Sequence, residues 1–249
     1  MESAPNGALL RKLASLGPLT PAERQLLEEL PLSTRHVGPD EDLLREGDRP
    51  TQCFVLLEGF ACRYKTLADG RRQILSFNIA GDFVDLPGFL LDQLDHGIAT
   101  LTACKISAIP HSVIAEWALH PNLLRLLWRD TLIDGAIYRE WVLNVGRRTA
   151  YQRVAHVLCE LATRLQAVGL GHNGVCELPI TQGELADATG LSTVHVNRVI
   201  QELRRDALIE MKGRAFSALD WDGLKLAAGF DPSYLNLPAL ARERRGQLV

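Results

Sequence analysis

Apolar positions along this chain change rhythm three times. Over residues 8–30 they recur at helical spacing, and Thr20-Pro21 offers an N-cap followed by proline at the first helical position. The pattern predicts a short helical preface. From Ser33 to Pro110 the texture turns into short apolar runs separated by turn-forming clusters such as GPDED, REGDRP, LADG and NIAGD. The runs within CFVLLEGFACRYKTL and RQILSFNI then read as strands, at the close and regular spacing of a sandwich, barrel or roll.

From Ser112 to Val145 turn residues almost vanish, and the pattern predicts one long helix in which Pro121 is tolerated only near the start or at a break before it. Leu119, Leu123, Leu126, Ile133 and Ile137 fall near a 3.5-residue repeat that Asp130 interrupts. A solitary helix of that length needs a partner surface, and pairing with a second copy of itself is the economical one. Packing on the chain's own β-rich part is the alternative, and the two are compatible. Gly146 with Arg147 and Arg148 marks a hinge. Beyond it, residues 150–165 form an amphipathic helix and residues 168–180 a loop with one short strand.

The segment TQGELADATGLSTVHVNRVIQELRRDALI, residues 181–209, is the most informative. It reads as two helices joined by a tight turn. Thr181 and Glu184 make a capping-box pair, and Gly190 supplies the left-handed residue that so short a turn requires. Ala186 is small where the second helix must cross closely. Ser192 is a natural N-cap, after which Val196, Val199, Ile200 and Leu203 share a buried face at i, i+3, i+4 and i+7.

The opposite face carries Thr193, Val194, Asn197, Arg198 and Gln201. Those side chains suit a major groove: arginine bonds the two acceptors of guanine, asparagine or glutamine pairs with adenine, and threonine or valine meets a thymine methyl. Arg204 and Arg205 follow one turn later, where phosphate contacts fix register without reading sequence. Residues 207–220 then give strand, turn and strand, a wing whose tip holds Lys212 and Arg214.

Composition narrows the classes. With 249 residues, 47% of them hydrophobic, the chain is long enough for two ordinary domains. No run of eighteen apolar residues is present and the N-terminus lacks the order of a signal peptide, so a cytoplasmic protein without a membrane partner is expected. Five scattered cysteines without a C-x-x-C pair read as reduced structural thiols. The net charge of −3 hides a mild asymmetry: residues 147–249 hold 13 Lys and Arg against 11 Asp and Glu. That excess alone does not indicate nucleic acid; the clustering of its arginines does.

These residues resemble the cyclic-AMP receptor protein and fumarate-nitrate regulator family, Crp/Fnr, over almost the whole chain. One block is residues 43–88, with Gly47, Gly59 and Gly81 at strand turns; the other is residues 181–209. The resemblance implies an α+β chain with an N-terminal β-roll sensor domain (1–111), a dimerisation helix (112–146) and a C-terminal winged helix-turn-helix (147–249). It also implies a homodimer on a two-fold symmetric DNA site, RNA polymerase as a further partner, and Arg198 on a guanine in each half-site. Val194 stands where the best-known members carry a glutamate, so a different operator is expected.

The effector positions depart further. Cyclic-nucleotide-binding members place a glutamate and an arginine where this chain has Leu86 and His96, and a small hydroxyl residue where it has Gly97. A buried cyclic phosphate without a fixed cation is poorly compensated, so cyclic AMP is not expected. No cysteine precedes Cys53, which argues against an iron-sulfur cluster; His36, His96 and His111 are possible haem ligands in principle, but a lone histidine is more often a surface or core residue, so haem is not expected. No cofactor is predicted. Two alternatives remain: a cyclic-nucleotide-responsive regulator with a divergent pocket, and a cupin-like metal enzyme. The second lacks the paired histidines such a jelly roll needs, and no P-loop, G-x-S-x-G or G-x-G-x-x-G occurs, so no enzyme is expected.

Overall fold

Two helices, rather than one, precede the strands: α1 (Gly7–Leu16) and α2 (Pro21–Glu28). Thr20 caps α2 as expected, accepting from the Glu23 amide while the Glu23 carboxylate accepts from the Thr20 amide. The computed structural model describes residues 6–30, 33–117 and 119–237. Contacts divide the chain into two compact units. One holds the residues up to Thr66 with Ser76–Asp134; the other holds Leu67–Leu75 with the residues from Gly135 onward.

Seven strands make the β-rich part, all within the first unit except the start of β5: β1 (Ser33–Val37), β2 (Asp42–Leu44), β3 (Gln52–Glu58), β4 (Ala61–Thr66), β5 (Arg72–Asn78), β6 (Gly97–Thr100) and β7 (Cys104–Pro110). They form a three-stranded sheet β1-β7-β3 and a four-stranded sheet β2-β6-β4-β5. Phe54, Leu56, Ala61, Val84, Ile98, Cys104 and Ile106 make a core cluster from both sheets. This is the expected roll. Cys53 to Leu57 are buried without alternation, because α1 lies on β3 and sinks Leu9, Leu13 and Leu16. Gly81 permits that approach: its φ is +101°, and a Cβ there would stand 2.6 Å from the Ala8 carbonyl oxygen. Gly47 and Gly59 have positive φ too, in the turns where the sequence places them.

The predicted helix over 112–145 is two. Helix α3 (His111–Trp117) ends before Pro121, and α4 runs Pro121–Arg147. Proline opens α4, where its missing N–H costs nothing. Of the two packings open to the 3.5-residue repeat, the one within the chain is seen for Leu123, Leu126, Ile133 and Ile137, which are buried, while Leu119 lies outside α4.

Asp130 is an anchor rather than an interruption, since Lys12 of α1 bridges it at 3.1 Å and Asp82 at 2.6 Å. One turn later Asp134 takes Arg63 at 2.6 Å. Arg63 is 2% exposed and also donates to the Phe83 and Val84 carbonyls, both at 2.9 Å. One buried cation, Arg63, and one half-buried cation, Lys12, thus clamp the first half of α4.

The second unit continues from Gly146, which is helical, so the chain breaks only at Arg148-Thr149. Helix α5 (Ala150–Ala167) is its centre. Residues 168–180 hold two short strands, not one: β8 (Gly171–His172) and β9 (Val175–Glu177), turned at Asn173-Gly174 with both φ positive. Helices α6 (Gln182–Thr189) and α7 (Thr193–Arg205), strands β10 (Ile209–Lys212) and β11 (Ala215–Ala218) and helix α8 (Trp221–Ala228) follow, the strands in the order β10-β11-β9-β8. Inside α5, Glu160 is buried and receives hydrogen bonds from Trp141 Nε1 at 3.1 Å and Tyr234 Oη at 2.6 Å.

Candidate nucleic-acid interface

Local chemistry sets the α6-turn-α7 geometry. Thr181 Oγ1 accepts from the Glu184 amide at 3.1 Å, and the Glu184 carboxylate accepts from the Thr181 amide. Gly190 closes α6 in the left-handed region (φ 67°, ψ 33°), and Ser192 Oγ accepts from the His195 amide at 3.2 Å to open α7. Arg153 of α5 donates to the Thr189 carbonyl at 3.1 Å, holding the turn on the unit's central helix.

Val196, Val199, Ile200 and Leu203 face inward, as the spacing predicts. Thr193, Val194, Asn197, Arg198, Gln201, Arg204 and Arg205 are all exposed on the remaining surface of α7. None of its three arginines forms an ion pair among the described residues. Ser192, Val194, His195, Arg198, Val199 and Glu202 line a shallow concavity along this helix.

The wing is a β10-β11 hairpin with Gly213 at φ +58°, and Lys212 and Arg214 are exposed at its tip. Lys212 pairs with Glu210 at 2.7 Å, an exposed bridge that screens part of its charge. β11 pairs with β9, and the Arg214 carbonyl accepts from the Leu178 amide at 2.8 Å.

Three contributors escape a reading of the sequence: Tyr151, Arg153 and Gln182. Tyr151 Oη donates to Asp206 Oδ2 at 2.6 Å and fixes the C-terminal end of α7 on α5. Arg153 holds the turn, and Asn197 Nδ2 donates to Gln182 Oε1 at 3.0 Å, joining the two helices through their side chains. Each links residues fifteen to 55 positions apart, beyond helical periodicity.

In the roll, the structure places the residues singled out at the cyclic-nucleotide positions as follows. Leu86 brings no carboxylate. His96 is buried, which pulls its pKa below the ordinary imidazole value, and its Nδ1 is engaged with Asp95 Oδ1 at 2.7 Å. That direction disfavours the charged imidazolium a phosphate would need. Gly97 lies under the Tyr64 ring, where an added Cβ would stand 2.5 Å from the ring. His36 is exposed on β1 and His111 opens α3. The five cysteines are buried, and burial raises the thiols of Cys53, Cys104, Cys159 and Cys176. No described helix is long and apolar enough to cross a membrane.

Comparison with known proteins agrees with this layout. Residues 34–119 match the family described as cyclic nucleotide-binding domain, and residues 152–227 match the Crp-like helix-turn-helix domain. The transcriptional activatory protein AadR of Rhodopseudomonas palustris is 32% identical over 212 residues, 85% of this chain and 87% of that protein. The nitrogen fixation regulation protein FixK of Bradyrhizobium diazoefficiens is 31% identical over 223 residues, 87% of this chain and 92% of that one. Among solved structures, FixK2 from Bradyrhizobium japonicum shares the fold with a TM-score of 0.72 at 23% identity, covering 81% of this chain and 100% of that chain.

Proposed function

This chain belongs to the Crp/Fnr family of DNA-binding transcription regulators, and from that premise we propose that it works in the cytoplasm as a homodimer on a two-fold symmetric operator. Each α7 lies in a major groove, with Val194, Asn197, Arg198 and Gln201 toward base edges. Thr193, Arg204, Arg205, Lys212 and Arg214 flank them and meet the backbone or the outer bases. The observation that carries this is the division of α7: four aliphatic side chains inside, and a polar face with three arginines outside. A polyanion supplies the charge those arginines lack.

Pairing is supported by α4, whose two sides are both apolar. While Leu123, Leu126, Ile133 and Ile137 are buried, Leu124, Trp128, Leu132 and Val142 stand exposed on the other side, with Gly135 and Gly146 in the same row. A second α4 would cover them, and the glycines allow close approach. The two α7 helices would then sit about 34 Å apart, one turn of DNA. RNA polymerase is the further partner of a regulator that acts at promoters.

We assign the roll's signal to something other than a cyclic nucleotide held in the family's manner, because Leu86 and the buried His96 stand where that manner needs a carboxylate and a fixed cation. Micromolar heat on titration with cyclic AMP or cyclic GMP would overturn that assignment.

Selection of bound duplexes from a random pool, with sedimentation of the same protein, tests the proposal. An inverted repeat with half-sites one DNA turn apart, bound by a dimer, is expected. Trp128→Glu should sediment as a monomer and lose the repeat. A monomeric wild-type protein, or bound sequences without symmetry, would contradict it.

A further inference from the structure

We infer that Gln182, at the first position of α6, is a specificity-positioning residue: it holds the Asn197 amide in the orientation that reads an adenine. The inference rests on the assignment of α7 to the major groove and deepens it.

The geometry begins with the α6 cap. The Thr181–Glu184 capping box fixes the backbone on either side of Gln182, so its side chain leaves from a set point beside α7. Its Oε1 accepts from Asn197 Nδ2 at 3.0 Å. That bond joins the exposed faces of α6 and α7 through side chains. It has a direction, because the asparagine is the donor and the glutamine the acceptor.

An asparagine amide has one acceptor oxygen and two N–H donors. Adenine shows the major groove an acceptor, N7, and a donor, N6–H, and it is matched by an amide that gives one N–H and one oxygen. The bond to Gln182 engages one N–H of Asn197. It leaves the other N–H and Oδ1, and Oδ1 has no partner among the described residues. The atoms left over are those adenine needs.

The same bond opposes guanine. Guanine shows two acceptors, N7 and O6, so the free Asn197 oxygen would face an acceptor there. Rotating the Asn197 amide by half a turn would relieve that clash, but would set its oxygen against Gln182 Oε1. Both amides would have to rotate together, and Gln182 therefore makes the choice at Asn197 a joint one. The terminal torsion of an asparagine is otherwise broad, so fixing it in the free protein also removes an ordering cost on binding. The Gln182 amide nitrogen remains available to a phosphate, a contact without sequence content.

The test compares base preference rather than bare affinity. Duplexes selected by the wild-type protein are varied one base pair at a time and titrated with wild type, Gln182→Ala, Asn197→Ala, the double variant and Gln182→Glu. Gln182→Ala should flatten the preference at the base pair that Asn197→Ala flattens, by about tenfold, and leave the Arg198 position unchanged. The double variant should be no flatter than Asn197→Ala alone. Gln182→Glu keeps an acceptor for Asn197, so it should retain the preference while binding every duplex more weakly and with altered salt dependence.

Uniform weakening of all duplexes by Gln182→Ala, with the profile intact, would reduce Gln182 to a phosphate contact and overturn the inference. So would flattening at a base pair that Asn197→Ala does not touch. A wild-type protein without any base preference would overturn the groove assignment itself, whereas a preference that survives Gln182→Ala overturns the amide pairing alone.

Discussion

The cations that clamp the roll and the arginines of α7 use their charge in opposite ways. In the roll, a half-buried Lys12 and a buried Arg63 are committed: Lys12 joins Asp82 to Asp130, and Arg63 joins two carbonyls to Asp134. In the second unit, Arg198, Arg204 and Arg205 project from α7 without a carboxylate partner among the described residues. A buried cation earns its place only through geometry, because its desolvation offsets most of the attraction it gains. An exposed row of cations adds little to stability and much to the attraction of a polyanion. Substitutions in the first group should therefore be read in folding, and those in the second in binding.

The largest effect should come from Arg63→Ala. Removing the guanidinium leaves the Phe83 and Val84 carbonyls and Asp134 unpaired, and should cost about 3 kcal/mol or more in urea unfolding followed by fluorescence. Trp117 is a suitable reporter, packed edge-on to Phe83 with ring centroids 6.4 Å apart. A loss under about 0.5 kcal/mol, the range of ordinary surface changes, would dissolve the contrast between committed and free cations.

Asp85 offers a comparison by pH. Burial pushes its carboxyl from 3.8 up to about 7, although the Phe54 amide and the Arg63 charge pull it down. A folded pKa above the unfolded one gives a contribution that is full below about pH 4 and lost as the pH rises through 7. The part due to this group is on the order of 4 kcal/mol for a shift of that size. Asp85→Asn should remove that fall from the stability curve between pH 4 and 8, and an unaltered slope in the variant would refute it.

The smallest effects belong to Arg204 and Arg205. Replacing either by alanine should weaken all duplexes alike and lower the slope of log affinity against log salt by about 0.9. A change confined to one base pair would move that residue from phosphate contact to base reading.

What the sequence reveals follows from the range of the forces involved. The turn at Gly190, the caps at Thr181 and Ser192, the buried face of α7 and the wing at Lys212-Gly213-Arg214 rest on neighbours within a few residues, and all are legible. Helix α4 defeats periodicity for a physical reason. Both of its sides are apolar, so a 3.5-residue repeat does not tell which side meets the chain's own roll; Leu123 and Ile133 turn inward and Trp128 and Leu132 outward.

The clamps from Lys12 and Arg63 join residues 70 or more positions apart, and no local pattern contains them. The hairpin at Asn173-Gly174 was within reach, since Asn-Gly is a strong two-residue turn signal; its strands are so short that they leave little alternation to see. Gln182 carries no local mark, because its role exists only once α6 and α7 cross.

The most direct measurement compares Arg198→Ala with wild type on a selected duplex and on a random duplex of equal length at the same salt. A loss of about 1–3 kcal/mol is expected on the selected duplex, with relaxed choice at one base pair per half-site and a much smaller loss on the random one. Equal losses on both duplexes would contradict the claim that α7 presents Arg198 to base edges.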